Sequence, residues 1–146
     1  MLRTEIISLS KRNLEDCIEI DKITHNRLWT DSQWEYELSS HTRICIGINL
    51  KSRVVALICG SITRDELEIT FLAVRPEYQR QGFASKLLSS LLNQAKRKSL
   101  KRAILEVKSI NFPALNLYKN FYFEKINVRK KYYKDGSDAF IFAVKI

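Results

Sequence analysis

The chain reads as a single α/β domain with a mixed, mostly antiparallel sheet flanked by helices. Three observations predict it. Strand-like and helix-like stretches alternate in the order β-α-α-β-β-β-α-β-α-β-β. The clearest helical pattern, Gly82 to about Lys98, lies between two period-2 stretches. The 146 residues contain no repeat, low-complexity block or Pro/Gly/Ser-rich linker, so one domain over residues 1–146 is expected.

Thr4 to Leu9 is the faintest strand signal. Ser10 to about His25 predicts a helix, with Leu14, Cys17, Ile18, Ile20 and Ile23 approximating one apolar stripe. Thr30 and Gln33 have the spacing of a capping box, so a short helix carrying Trp34 and Leu38 should start there. Arg43 to Leu50 and Val54 to Thr63 are rich in Ile and Val, with Lys51-Ser52 as the turn between them. Leu67, Ile69 and Phe71 alternate with Glu68, Thr70 and Leu72, which predicts a period-2 strand from the turn at Asp65 to Val74, ended by Pro76. In the next helix Leu87, Leu88, Leu91, Leu92 and Ala95 form the apolar face, and Lys96, Arg97 and Lys98 suit the negative end of its dipole. Arg102 to Lys108 alternates as a strand. Asn111 and Pro113 read as N-cap and first-turn proline of a helix carrying Leu115, Tyr118 and Phe121. Phe123 to Tyr133 and Ala139 to Ile146 predict a final antiparallel pair joined around Asp135-Gly136.

Composition narrows the function classes. The apolar and charged fractions, 45% and 28%, are those of a globular protein, and no apolar run reaches the ~20 residues of a membrane span. Met1 to Ser10 lacks the apolar core of a signal peptide, so a cytoplasmic location is expected. Cys17, Cys45 and Cys59 form no CxxC and sit in apolar stretches, which predicts buried free thiols. With two His, neither at zinc spacing from a Cys, no metal is expected. The net charge of +9 is unevenly placed: residues 1–74 carry −2 and residues 75–146 carry +11. The second half should attract a polyanion, either nucleic acid or a phosphorylated cofactor, unless it is simply a solvated basic surface.

The segment Val74-Arg-Pro-Glu-Tyr-Gln-Arg-Gln-Gly-Phe-Ala84 selects among these. A strand ends, a basic loop follows, and a glycine opens an amphipathic helix. First-turn N–H groups lack internal partners, a small residue admits a phosphate close to the backbone, and the helix dipole favours an anion there.

Gln79-Arg80-Gln81-Gly82-Phe83-Ala84 resembles the Q/R-x-x-G-x-G/A signature of the Gcn5-related N-acetyltransferases (GNAT), and the element order is similar over essentially the whole chain. The resemblance implies the GNAT fold and acetyl-CoA as co-substrate. Its pyrophosphate would bind at Arg80, Gln81, Gly82, Phe83, Ala84 and Ser85, and its pantetheine arm along Leu72, Ala73 and Val74. A narrower resemblance, to the RimI-like group that acetylates the N-terminal alanine of a small-subunit ribosomal protein, rests on five stretches. These are His25 to Thr30, Leu105 to Lys108, Asn111, Ala114 to Tyr118 and Arg129 to Tyr133. It implies Glu106 as general base, Tyr118 as general acid and Asn111 as a coenzyme contact. At Tyr122 the group usually has Gly, so a different turn after that helix is expected.

Read without the resemblance, these residues leave alternatives open. Glu106 on a central strand could take a proton near neutral pH or be an ion-paired surface glutamate. Tyr118 could be a plain core tyrosine. Tyr132 and Tyr133 could line a groove or pack, and His25 and His41 are expected to be structural or exposed. Trp29 and Trp34 should be core or groove wall. Asp31, Glu35 and Glu37, on or beside the short second helix, would favour a cationic acceptor unless they merely solvate it.

An α-amine, with a pKa of ~7.7–8.0 against ~10.4 for lysine, needs only a modest base. The RimI-like resemblance, together with the acidic residues of the second helix, implies a protein or peptide N-terminus beginning with Ala and followed by basic residues as the acceptor. Lysine side chains, polyamines and small-molecule amines remain alternatives. A non-catalytic RNA- or ribosome-binding module on the same fold is the rival of another class. Phe123 to Tyr133 only loosely matches an RNA-stacking platform, so direct nucleic-acid binding is not expected.

Overall fold

The computed structural model describes residues 3–146. The elements are β1 (Thr4–Ser8), α1 (Leu14–His25), α2 (Asp31–Ser39), β2 (Arg43–Leu50), β3 (Arg53–Thr63), β4 (Glu66–Val74), α3 (Phe83–Arg97), β5 (Arg102–Lys108), α4 (Phe112–Asn120), β6 (Glu124–Arg129) and β7 (Ala139–Lys145). Short 3-10 turns at Lys11–Asn13 and Pro76–Tyr78 precede α1 and follow β4. One seven-stranded sheet has the order β1-β2-β3-β4-β5-β7-β6. Among the described residues only the β4–β5 pair is parallel, with α3 as its crossover.

Two cores lie on opposite faces of the sheet. Leu87, Leu88 and Leu91 of α3 and Leu115 of α4 pack on one face. Cys17 and Ile20 of α1 with Trp34 and Leu38 of α2 pack on the other. Cys17, Cys45 and Cys59 are buried and free. Burial pushes the Cys17 thiol up to about 12, so it stays a protonated, unreactive group of the interior. Ile23 is exposed and falls off the predicted α1 stripe, where the acidic Asp21 is buried instead.

The β4 prediction needs correction. Cys59 pairs with Phe71 and Gly60 with Ile69, so Thr70 is an extra residue, a bulge whose Oγ1 donates to the Cys59 carbonyl at 3.3 Å. The bulge reverses the alternation. Leu67 and Ile69 face the α3–α4 core, whereas Phe71 and Ala73 face α1 and α2. Gly60, opposite the bulge, sits so close to Leu67 that a Cβ would lie 2.6 Å from Leu67 Cδ1. The final pair is also shorter than expected: β6 ends at Arg129, and 130–138 form a loop turning through Gly136 at φ +84°.

After α4 the chain closes its turn with a tyrosine where a glycine is usual. The Tyr122 N–H reaches the Lys119 carbonyl and the Phe123 N–H reaches the Tyr118 carbonyl, the Schellman pattern with Tyr122 at the left-handed position, φ +67°.

Candidate active site

Strands β4 and β5 pair only from Glu66↔Arg102 to Ile69↔Leu105. Past that point the bulge bends β4 away, and a cleft of about 780 Å³ opens between the strands. Its walls come from the α1–α2 connection, both parted strands, the start of α4 and the β6–β7 loop.

The open edge of β4 is one wall. The Arg75 N–H bonds the Val55 carbonyl on β3 at 2.9 Å. In an antiparallel ladder inward and outward residues alternate, so Ala73 also turns its backbone to β3, while Leu72 and Val74 turn theirs toward the gap. The Gln79 side chain donates to the Val74 carbonyl at 3.1 Å and folds the following loop back on the strand. Arg80 is exposed at φ +62°, and Gly82 caps α3 at φ +83° with open space where a Cβ would point. The first intrahelical bond is Lys86 N–H to the Gly82 carbonyl, which leaves the N–H groups of Phe83, Ala84 and Ser85 to outside partners. Gln81 is exposed and donates to the Glu77 carbonyl. An open strand edge running to a helix start with free N–H groups fits a long ligand with an anionic middle.

Glu106 and Tyr118 both line the cleft. Glu106 accepts from the Tyr133 hydroxyl at 3.2 Å, with Arg129 Nη1 at 3.9 Å from its other oxygen. The Tyr133 phenol is pushed up to about 12 by burial, then by the Glu106 charge and their hydrogen bond, so it remains a donor. Tyr118 is buried, its ring 5.5 Å from that of Phe123, and burial pushes its phenol up to about 12. Asn111 caps α4 with Oδ1 on the Ala114 N–H at 3.3 Å, which leaves its amide N–H₂ for a ligand in the cleft it lines.

The opposite wall depends on residues that spacing did not single out. Asp21 is fully buried and accepts from the Leu28 N–H at 2.8 Å, the Trp29 N–H at 3.0 Å and Trp34 Nε1 at 2.9 Å. It thereby fixes the α1–α2 connection, where Asn26 and Arg27 take left-handed φ values. Trp29 and His25 pack on Phe71 and line the cleft, and burial lowers the His25 pKa so that it favours the neutral ring. Trp34 belongs to the core and His41 is exposed. Thr30 caps α2 on the Gln33 N–H, but the Gln33 side chain turns to Glu37 at 2.7 Å, so the capping box is half made.

Of α2's carboxylates, Glu37 lines the cleft together with its partner Arg43, whereas Asp31 does not. Asp31 is paired with Arg27 at 2.6 Å. Glu37 is buried against Arg43 Nε at 3.0 Å, so its charge is neutralised. Glu35 is exposed and outside the cleft lining.

Arg75, within the basic loop, is not free to meet an anion. It is fully buried, donates from Nε to the Val54 carbonyl at 2.9 Å, bonds Glu19 through Nη1, and lies 3.6 Å from Asp16. The clamp ties the end of β4 to α1. No group of three or more His, Cys, Asp or Glu placed to hold a metal ion occurs among the described residues. No described helix is long and apolar enough to cross a membrane.

Comparison with known proteins accords with this arrangement. The model of the acetyltransferase (GNAT) family matches residues 11–123. A protein of Bacillus subtilis (strain 168), provisionally named a [ribosomal protein bS18]-alanine N-acetyltransferase, is 31% identical over 146 residues, covering 99% of this chain and 97% of its own. The crystal structure of the ribosomal-protein-S18-alanine N-acetyltransferase from Escherichia coli superposes with a TM-score of 0.92 at 26% identity, over 99% of this chain and 94% of that one. Arabidopsis thaliana NAA60, solved in complex with acetyl-CoA, shares the fold at a TM-score of 0.88 and 16% identity, with 99% of each chain covered.

Proposed function

The chain belongs to the acetyltransferase (GNAT) family, and from that premise we propose that it moves the acetyl group of acetyl-CoA to a protein N-terminal α-amine. The proposed acceptor is the N-terminal alanine of the small-subunit ribosomal protein bS18, in the cytoplasm, with residues 1–146 acting as one N-acetyltransferase domain. One observation carries the reading: Glu106 and Tyr118 line the same cleft, beside the strand edge left open where β4 and β5 part. The names of the two bS18-alanine relatives support the choice of acceptor.

Acetyl-CoA supplies an activated thioester. Arg80, Gln81, Gly82, Phe83, Ala84 and Ser85 would hold its pyrophosphate, Leu72 and Val74 its pantetheine amides with Ala73 between them, and Asn111 would add a contact. Glu106 takes one proton from the acceptor amine, directly or through water, as nitrogen bonds the acetyl carbon and the carbon–sulfur bond breaks. A backbone N–H near Val74 donates to the developing oxyanion. Tyr118 donates to the departing sulfur. A thiol near ~8.5 is a stronger acid than a phenol near 12, so this donation acts as a charge-assisted hydrogen bond before any full transfer.

The test is acetyl transfer followed by mass spectrometry. An Ala-initiated peptide, an α-blocked copy with a free lysine, and spermidine compete for limiting acetyl-CoA. Acetylation of the free α-amine is expected. Preference for the blocked peptide or spermidine would move the assignment to the lysine or polyamine alternative.

A further inference from the structure

Beside the cleft, on the β6 side, lies a second recess of about 330 Å³. The two cavities meet at Glu68, Leu105 and Glu106, which line both. Ile104, Ile126 and Ile141 give the recess an apolar wall. Ile126 falls at the register shift between Lys125 and Asn127, where β6 departs from its ladder with β7, and it remains half exposed.

The charges around the recess do not cancel. Arg129 lies 3.9 Å from Glu106, and its guanidinium sits 5.4 Å from the Tyr132 ring centroid, so its charge is engaged. Glu68, opposite Ile104 on the adjoining strand, takes part in none of the ion pairs found among the described residues. One negative charge is therefore left beside an apolar wall. That combination suits a side chain with a long aliphatic stem and a cationic head.

We propose that this recess is a specificity subsite for an Arg or Lys side chain of the acceptor residue next to the acetylated N-terminus, and that Glu68 reads its charge. The inference rests on the N-terminal acetyltransferase reading, because Glu106 at the rim then marks where the α-amine sits. Asp31 and Glu37 on α2 are already paired, whereas Glu68 is not.

The experiment uses three peptides that differ only at the second position: Ala-Arg, Ala-norleucine and Ala-Glu, each with a neutral remainder. Acceptor kcat/KM is measured for the wild type, Glu68→Gln and Glu68→Lys. The wild type should prefer Arg over norleucine by roughly fivefold. Glu68→Gln should erase that ratio, and Glu68→Lys should shift preference to Ala-Glu. Because Glu68 borders Glu106 in the cleft, the readout is the ratio between peptides within each enzyme, and a change of rate common to all three peptides is set aside. Equal ratios in all three enzymes would overturn the subsite. No α-amine turnover of any peptide by the wild type would instead overturn the function on which it rests.

Discussion

Tyr118 and Glu106 are ordinary residues made unusual by their surroundings. Burial alone raises the Tyr118 phenol, whereas Glu106 is held between Tyr133 and Arg129. Under the proposed mechanism Glu106→Gln and Tyr118→Phe should fold and bind acetyl-CoA normally. Each should lower kcat by about 10²-fold, within the ~10²–10⁴ range of acid–base groups. Higher pH should partly rescue Glu106→Gln, where free amine replaces the lost base, but not Tyr118→Phe. Steady-state pH profiles separate the two. A second consequence concerns stability. A tyrosine whose folded pKa lies above its unfolded value keeps its stabilising share below about 10 and loses it as pH rises toward about 12. Tyr118→Phe should therefore lose less stability than the wild type over that interval, as read by urea unfolding at several pH values. Glu106 was singled out from its neighbours in sequence as a candidate base, but its tie to Tyr133 was not legible there, because the two are 27 positions apart and meet only when the β6–β7 loop folds back.

At the scale of the elements, the turn into α3 and the turn out of α4 pose the same backbone demand and meet it differently. Gly82 takes its left-handed φ without penalty, and the space before it is open. Gly82→Ala should cost about 1 kcal/mol of stability, the strain of a side chain in that conformation. Gly82→Asp should in addition weaken coenzyme binding, because it places a carboxylate where the pyrophosphate would sit. Thermal unfolding and calorimetry check the two parts; undiminished binding by Gly82→Asp would remove the pyrophosphate from this loop. Tyr122 holds the equivalent conformation at the end of α4 while 84% exposed. Its side chain contributes little burial to offset that strain. Tyr122→Gly should raise stability by roughly 0.5–1 kcal/mol with no change in turnover.

For the molecule as a whole, α1 and the parted half of the sheet are joined by the Arg75 clamp. The guanidinium is fully buried, while Asp16 and Glu19 reach it from a partly exposed helix face. The Arg75 hydrogen bond and charge hold the Glu19 carboxyl below its ordinary pKa. A carboxylate lowered in this way stabilises the fold above its unfolded pKa, and that contribution is lost as pH falls through the folded value. Glu19→Gln should flatten the acid limb of the stability curve. The double variant Asp16→Asn/Glu19→Gln leaves a buried cation uncompensated, which should cost about 3 kcal/mol and lower Tm by on the order of 10 °C. Calorimetric scans from neutral to acid pH measure both effects.

By itself the sequence determined the α/β class, the order of elements, the glycine-opened helix and the family signature. Those features reside in periodicity and in local backbone demands that neighbouring residues express directly. It also named Glu106, Tyr118 and Asn111 through short motifs on a strand and a helix start. The tertiary structure decided the rest. Period-2 reasoning placed Phe71 with Leu67 and Ile69, but the Thr70 bulge turned it to the other face, and a bulge is a property of two strands in register. Charge counting put the acceptor's counter-charge on α2, and Glu37 does line the cleft, but Arg27 and Arg43 pair with Asp31 and Glu37, whereas Glu68 on β4 faces the cleft without an ion-pair partner among the described residues. Whether a charge acts on a ligand depends on which opposite charge the fold brings beside it, and composition does not contain that distance.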